Sequence, residues 1–244
     1  MNRSRILVVG AGSIGERHAR CFQRTKRAEV AICEPREEIR RRVSEEYHLA
    51  AAYEQLDDAI EYPFAAAVLC VPAHLHIPFA MRFVERGIPL LIEKPLSNSD
   101  EGVDALIRAS KSRGVPVSVA YVHRANPALQ AMKTAIDSGR FGDIVQVTVQ
   151  SGQHFPFYRP AYREIYYRDR AMGGGAIQDA LTHWSTRPSG LLAPSLDLSP
   201  TPNTVCWTAW TSRTRCIWWP ATERVGGSWP AIHSTSTNPR TKPC

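Results

Sequence analysis

The sequence has no apolar run long enough to cross a membrane, because a spanning helix needs about 20 consecutive apolar residues. The longest apolar stretches have the length of a strand. The N-terminus, Met1 to Arg5, leads directly into an apolar run and leaves no room for a signal peptide. We therefore expect a cytoplasmic protein without a membrane partner. A hydrophobic content of 43% and a charged content of 22% are typical of a chain that buries a core.

Closely spaced cysteine pairs are also missing. The chain has 6 cysteines, and none of them forms a CxxC pair. Zinc sites and disulfide frameworks depend on such spacings, so we predict no metal site and interpret the cysteines as small apolar residues. The net charge is +7, but much of the excess lies after Ser185 and not on one basic face. This distribution argues against a nucleic-acid partner.

A glycine-rich turn between two apolar runs is the most informative feature that is present. Residues 6–9 form the first run, and the turn at 10–15 follows without a gap. A helix-compatible stretch leads to the second run, 30–33, which ends at Glu34. The order strand, glycine turn, helix, strand and acid is typical of a dinucleotide-binding unit.

Each residue of the turn has a physical role in such a site. Gly10 permits a tight turn, Gly12 lets the backbone approach a pyrophosphate, and Gly15 lets the helix pack closely on the strand. Ser13 and Ile14 begin the helix, whose N–H groups and partial positive charge favour phosphate.

Glu34 is predicted to accept hydrogen bonds from ribose hydroxyls. A carboxylate repels a 2′-phosphate, which favours NAD over NADP. Arg36, two residues further on, could receive that phosphate, so NADP stays open as an alternative. Arg36 is otherwise a solvated residue of the following helix.

Apolar strands and helical segments alternate through the first half of the chain. Predicted strands cover 64–70, 88–92 and 115–120, and predicted helices cover 36–47, 55–60, 78–86 and 99–113. This alternation predicts an α/β fold with a doubly wound parallel sheet. Ligands bind at the carboxyl ends of such strands, where Val71, Pro72, His76, Glu93 and Lys94 fall.

The next segment has a different pattern. Residues 127–138 predict an amphipathic helix, and 144–149 alternate like a strand of an antiparallel sheet. A run of glycines, 173–175, precedes a helical stretch that carries Asp179 and His183. These two residues lie one turn apart and share a helix face.

Several motifs together resemble the Gfo/Idh/MocA oxidoreductases, a family that includes glucose–fructose oxidoreductase and inositol dehydrogenase. The resemblance covers about Ile6 to His183 and rests on the glycine turn followed by Arg17-His18, on Glu93-Lys94-Pro95, on Arg124-x-x-Pro127, and on the glycine run with Asp179-x-x-x-His183. It implies a Rossmann domain followed by an α/β domain with an open, mostly antiparallel sheet. It also implies NAD(P)-dependent chemistry at a secondary alcohol of a sugar, cyclitol or related polyol, in a homo-oligomer.

The resemblance also assigns roles to side chains. His183 is the base that takes the alcohol proton, which suits an imidazole. Asp179 holds substrate hydroxyls or the imidazole, and Lys94 hydrogen-bonds the reacting oxygen. His76 matches the family's histidine after the fourth strand, with a helix-start role as an equal alternative. The substrate region contains Tyr121, Arg124, His154 and Tyr162.

The character of the sequence changes after Trp184. All tryptophans lie at Trp184 or later, proline, serine, threonine and arginine are frequent, and neither helical nor strand periodicity is visible. We interpret residues 185–244 as an atypical tail, either disordered or read in a shifted frame. The predicted domains are 1–121 for the NAD(P)-binding part and 122–184 for an incomplete substrate domain. The loss of most of the second sheet puts the family's homo-oligomer in doubt here.

Three functional hypotheses follow. The first is an NAD(P)-dependent dehydrogenase for a sugar or polyol. The second is a dinucleotide-binding protein without turnover, either an inactive product or a sensor. The third is hydrolysis or epimerisation through transient oxidation, as in some relatives. The combination of Lys94, Asp179 and His183 favours an enzymatic origin.

Overall fold

The computed structural model describes residues 3–142, residue 183 and the segments 196–201 and 204–209. These residues belong to two compact units that divide after Tyr121. Each unit is described by itself below.

A six-stranded parallel sheet forms the first unit, in the order β3-β2-β1-β4-β5-β6. The strands are β1 (Ser4–Val9), β2 (Ala28–Cys33), β3 (Ala51–Tyr53), β4 (Ala66–Leu69), β5 (Leu90–Ile92) and β6 (Val117–Val119). The helices are α1 (Ser13–Arg24), α2 (Glu37–Tyr47), α3 (Leu56–Ile60), α4 (His76–Glu85) and α5 (Val103–Arg113). The predicted parallel sheet is confirmed. The strand order reverses between β1 and β4, which makes this pair the topological switch point.

The central strands are buried on both faces because apolar residues occupy successive positions. Ile6 and Val8 of β1 pack in one core, with Ala19 of α1 and Val43 of α2. The alternate residues of β1 pack in a second core, which α3, α4 and α5 cover. The continuous apolar runs predicted from the sequence therefore follow from helices on both sides of the sheet.

Left-handed residues set several helix ends. Gly114 ends α5 with φ +65°, as its place after the helical run predicts. Gly102 has φ +74° and precedes the same helix, so α5 begins at Val103 and not at Ser99 as predicted. No helix within the described ranges combines the length and the apolar character needed to cross a bilayer.

Strand β3 was absent from the sequence prediction. It has 3 residues and lies at the edge of the sheet, beside β2. A strand of this length shows no periodicity, and its pairing partner 20 residues earlier supplies the register, with Ala31 opposite Ala51.

The described part of the second unit begins with a 3₁₀ turn, Val122–Ala125, and helix α6 (Pro127–Asp137). Asn126 caps this helix, because its side chain accepts hydrogen bonds from the N–H groups of Ala128 and Leu129. Pro127 takes the first helical position, where its missing N–H costs nothing. The predicted helix at 127–138 is present.

No strand periodicity is visible in the sequence after residue 185, yet the structure has two strands there. Strands β7 (Leu196–Thr201) and β8 (Thr204–Ala209) pair antiparallel, with Leu198 opposite Trp207. The segment Thr204–Ala209 contains threonine, valine and tryptophan, which favour extended backbone. The proline and serine content of the tail concealed this local preference. The other predicted elements, at 144–149 and 176–184, lie outside the described residues apart from His183.

We predict that Gly15→Ala destabilises the first unit far more than Gly87→Ala does. A Cβ on Gly15 would stand 1.8 Å from the carbonyl oxygen of Gly10, whereas one on Gly87 would meet nothing within 4 Å. Gly87→Ala should therefore lower the free energy of unfolding only by the strain of an alanine in a left-handed conformation, about 1 to 2 kcal/mol. Gly15→Ala should cost more than about 4 kcal/mol. Urea unfolding of both variants tests this, and equal losses would contradict the close packing of α1 on the turn.

Candidate cofactor site

The glycine turn lies at the carboxyl end of β1, where the strand order reverses. Gly10 has φ +87°, and a Cβ there would meet the carbonyl oxygen of Cys70 at 2.7 Å. Gly15 lies in the first turn of α1, against the carbonyl of Gly10. Both positions therefore require glycine, and they bring the start of α1 directly over the ends of β1 and β4.

Gly12 has a different environment. The nearest atom to an ideal Cβ on Gly12 is Nη2 of Arg36, at 3.8 Å, so the backbone here borders open space. Gly12 is the residue before α1, and no side chain in the described part of the chain caps that helix. Ser13 and Ile14 are exposed at its first turn. Open space beside an uncapped helix N-terminus fits a pyrophosphate.

Glu34 lies at the end of β2 and is 2% exposed. Its Oε2 accepts the N–H of Ala11 at 2.9 Å, which ties the acid to the glycine turn. Arg36 donates to the same carboxylate from Nε at 2.7 Å, from Nη2 at 3.0 Å and from its backbone N–H at 3.2 Å. Donors within the protein therefore surround both carboxylate oxygens.

Burial opposes ionisation of Glu34, yet its pKa lies below the ordinary value because Arg36 and the Ala11 N–H stabilise the carboxylate more strongly. The side-chain hydrogen bonds to Glu34 raise the pKa of Arg36. The Arg36 side chain remains 63% exposed. The guanidinium thus covers a buried acid and presents its outer surface beside Gly12.

The carboxyl ends of β4 and β5 form the other side of this edge. Val71 and Pro72 follow β4, and the backbone N of Val71 lies 3.3 Å from an ideal Cβ on Gly10. Glu93 and Lys94 follow β5, and the bond from Lys94 to Pro95 is cis. Glu93 is 8% exposed, and its Oε2 accepts the Lys94 N–H at 3.2 Å. The structure therefore brings these predicted residues to the edge that carries the glycine turn.

His76 begins α4 and is 1% exposed. Its Nδ1 lies 2.9 Å from the carbonyl oxygen of Pro95, and its Nε2 lies 2.9 Å from that of Val71. Burial lowers the pKa of His76, and the backbone carbonyls oppose this only in part. The ring links the segments that follow β4 and β5. This contact supports a structural role for His76 at the start of α4, the alternative to a cofactor contact.

His18 is a residue of the site that the sequence analysis did not select. Its Nε2 lies 2.7 Å from Oε1 of Glu93, and both side chains are largely buried. The signal was available in the sequence. His18 follows Gly15 by one turn and precedes Phe22 by one turn, on the face of α1 that packs on the sheet.

The structure describes three further predicted site residues. His183 and Arg124 belong to the second unit, and Tyr121 is the last described residue of the first. The ring of His183 lies edge-on against that of His123, with 5.1 Å between the centroids. Arg124 belongs to the same 3₁₀ turn as His123. Tyr121, at the end of the first unit, donates its N–H to the carbonyl of Val119. Asp179, His154 and Tyr162 lie outside the described residues.

The fold and the site define a dinucleotide-binding domain. A parallel sheet in the order 3-2-1-4-5-6, a glycine turn at its switch point and a buried acid after β2 are the elements of that class.

Comparison with known proteins agrees with this assignment. A family model described as an NAD-binding Rossmann fold of an oxidoreductase family matches residues 4–121. A second, described as a GFO/IDH/MocA C-terminal domain, matches residues 129–186. The chain belongs to the Gfo/Idh/MocA family of oxidoreductases, and its first unit is that family's NAD-binding domain.

Curated relatives include several inositol 2-dehydrogenases. The protein from Corynebacterium glutamicum is 31% identical over 147 residues, which are 59% of this chain and 44% of the relative. The protein from Rhizobium meliloti is 28% identical over 179 residues, 72% of this chain and 51% of the relative. The chain thus spans about half the length of these relatives.

Solved structures show the same fold. The WlbA dehydrogenase of Bordetella pertussis, in complex with NADH and UDP-GlcNAcA, has a TM-score of 0.69 and 24% identity, with 85% of this chain and 69% of that chain covered. A putative dehydrogenase of Bordetella bronchiseptica has a TM-score of 0.71 and 22% identity, with coverages of 89% and 57%.

We predict that His76 makes the first unit less stable in acid. Its pKa is lowered in the folded protein, whereas an unfolded imidazole titrates near pH 6.5. Below that pH the unfolded chain binds a proton that the folded protein resists, so the stability present at neutral pH is lost on acidification. Between about pH 7 and pH 5 the free energy of unfolding should fall, by at most about 1.4 kcal/mol per pH unit for this one proton.

Urea unfolding at several pH values measures this slope. His76→Gln should flatten it, and His74→Gln, at an exposed histidine of the neighbouring 3₁₀ turn, should leave it unchanged. A slope that is the same in the His76 variant and the wild type would refute the assignment.

Proposed function

We propose that this protein is an NAD-dependent dehydrogenase that oxidises a secondary alcohol of a sugar, cyclitol or related polyol. The observation that carries the proposal is the placement of the glycine turn, Glu34 and the Glu93–Lys94 segment at one edge of one sheet. A nucleotide held by the turn and the acid would extend towards Lys94 along that edge.

NAD, when bound, supplies the acceptor for the hydride. The residues of the chain would bind the cofactor, orient the substrate and transfer the proton. Gly10, Gly12 and Gly15 with the start of α1 would hold the pyrophosphate, and Val71, Pro72 and Glu93 would border the site. Because Arg36 already occupies the Glu34 carboxylate, either Arg36 moves when a ribose hydroxyl reaches Glu34, or its guanidinium makes the contact itself.

The proton chemistry would come from three side chains. The Lys94 ammonium would hydrogen-bond the reacting oxygen and stabilise negative charge on it. His183 would take the alcohol proton, and Asp179 would hold the imidazole or a substrate hydroxyl. His76 would hold the backbone around this region. This scheme is supported by the family membership and by the position of Lys94 after β5, at the sheet edge that carries the glycine turn.

The substrate proposal draws on the relatives. Several of them are named inositol 2-dehydrogenase, which supports a cyclic polyol. Tyr121, Arg124, His154 and Tyr162 would line the substrate side, through stacking and hydrogen bonds to hydroxyl groups. A second candidate function is dinucleotide binding without turnover. The match of the C-terminal family model ends at residue 186, which favours this candidate for the chain as it stands.

The domain organisation is part of the proposal. We place the NAD-binding domain at 1–121, an incomplete substrate domain with an open antiparallel sheet at 122–184, and a tail read in a shifted frame at 185–244. The end of the family match at residue 186 supports this division. The gene's nucleotide sequence tests the tail: an alternative frame that encodes family-like strands supports the shift, and stop codons in that frame refute it.

We predict that Arg36→Ala weakens NADP binding much more than NAD binding. The exposed surface of the guanidinium beside Gly12 offers a charge-assisted hydrogen bond to a 2′-phosphate, which NAD lacks. The loss should be about tenfold or more for NADP and about threefold or less for NAD. Calorimetry measures both constants. Arg41→Ala, at an exposed arginine of α2, serves as the control and should change neither. Equal losses for both cofactors would contradict a 2′-phosphate role.

We predict that Lys94→Ala strongly slows NADH formation without abolishing NAD binding. An ammonium at the reacting oxygen acts mainly in the transition state, so kcat should fall about a hundredfold or more. NADH absorbance with a panel of inositols and sugars measures turnover, and calorimetry measures binding. Lys111→Ala removes an exposed lysine of α5 and should leave turnover unchanged. Binding without turnover in the wild type would favour the second candidate.

A further inference from the structure

We infer that His18 is a positioning residue that fixes the Glu93–Pro95 segment, and with it Lys94, through the side chain of Glu93. The inference rests on the proposed function, because the position of Lys94 matters for catalysis only if Lys94 contacts the reacting oxygen. It assigns a role to a helix residue that is not among the proposed catalytic or cofactor-binding residues.

The first step is the contact itself. Nε2 of His18 lies 2.7 Å from Oε1 of Glu93, a distance typical of a strong hydrogen bond. The partners come from α1 and from the end of β5, which are 75 residues apart in the chain. A long-range bond between largely buried groups restrains the position of both elements.

The second step is a further hydrogen bond, which joins Glu93 to Lys94. Glu93 uses its other oxygen, Oε2, to accept the backbone N–H of Lys94 at 3.2 Å. The path from α1 therefore runs from the imidazole through one carboxylate to the backbone of the proposed catalytic lysine. A carboxylate that lost His18 would be buried without that donor and would be driven towards solvent. The Lys94 backbone would then lose a restraint.

The third step is the origin of His18 in the cofactor-binding helix. α1 begins at Ser13, directly after Gly12, and Gly15 fixes its start against the turn. The position of α1 therefore sets both the phosphate site and, through His18, the Glu93–Pro95 segment. His76 holds the same segment from another side, at the Pro95 carbonyl. Two imidazoles thus restrain the segment independently.

The test uses the full-length chain and three variants. His18→Phe keeps an aromatic ring beside Phe22, whose centroid lies 6.4 Å from that of His18, but removes the donor. His18→Gln restores an N–H donor. Arg17→Ala, at an exposed position of the same helix, is the matched control. Hydrogen exchange at the Lys94 amide is the first measurement, since it requires neither cofactor nor turnover.

We expect His18→Phe to accelerate exchange at Lys94 about tenfold or more, while the amides of β1 and β2 exchange as in the wild type. His18→Gln should restore slow exchange, and Arg17→Ala should not change it. Unchanged exchange at Lys94 in His18→Phe would overturn the inference, as would a loss of protection that spreads through the sheet or a failure of His18→Gln to restore it.

Steady-state kinetics on the same samples separate positioning from folding. His18→Phe should lower kcat about tenfold, with the Kd for NAD and the KM for the polyol within about twofold of the wild type. A rise in KM with unchanged kcat would overturn the inference. Lys94→Ala is measured alongside. Full turnover in Lys94→Ala refutes the proposed function, whereas the exchange measurement still decides whether His18 fixes the segment.

Discussion

The approach of helix α1 to the end of β1 is the constraint on which the rest of this domain depends. Gly15 lies so close to the Gly10 carbonyl that a Cβ would stand 1.8 Å from that oxygen. This packing directs the helix N-terminus over the switch point between β1 and β4. It also fixes the rotation of α1, so that Arg17 is exposed while Ala19 packs in the core and His18 reaches Glu93. A backbone contact thereby determines where phosphate can bind and which side chains meet the ends of the strands.

A buried acid complements this backbone geometry. Glu34 is 2% exposed, and its ionised form requires compensation by hydrogen bonds, since burial alone favours the neutral acid. Ala11 supplies one bond from the turn, and Arg36 supplies the others from the start of α2. The acid therefore joins three segments before any ribose is present. Under the proposed function, a ribose hydroxyl that reached Glu34 would compete with Arg36 for the same oxygens.

The sequence predicted the sheet well because the signals for it are local. The apolar runs of β1, β2 and β4 and the glycines after α4 and α5 act over a few residues. β3 was missed because its pairing with β2, and not its own pattern, makes it a strand. The hairpin of β7 and β8 was missed because the unusual composition of the tail obscured the strand preference of Thr204–Ala209. The sequence predicted the glycine turn and Glu34 from local spacing and the proposed catalytic residues from a family resemblance, whereas the bond from His18 to Glu93 connects residues that no local pattern relates.

The position of the Glu93–Pro95 segment depends both on the local sequence and on tertiary contacts. Its position after a buried strand follows from the sequence, but its orientation follows from contacts with α1 and with the start of α4. His18 acts on a side chain and His76 on a backbone carbonyl, so a change in one leaves the other contact in place. The segment is also joined to the β4 side through Val71, because His76 contacts that carbonyl as well. The segments that follow β4 and β5 are thus held together at the sheet edge that carries the glycine turn, and Lys94 belongs to the second of these segments.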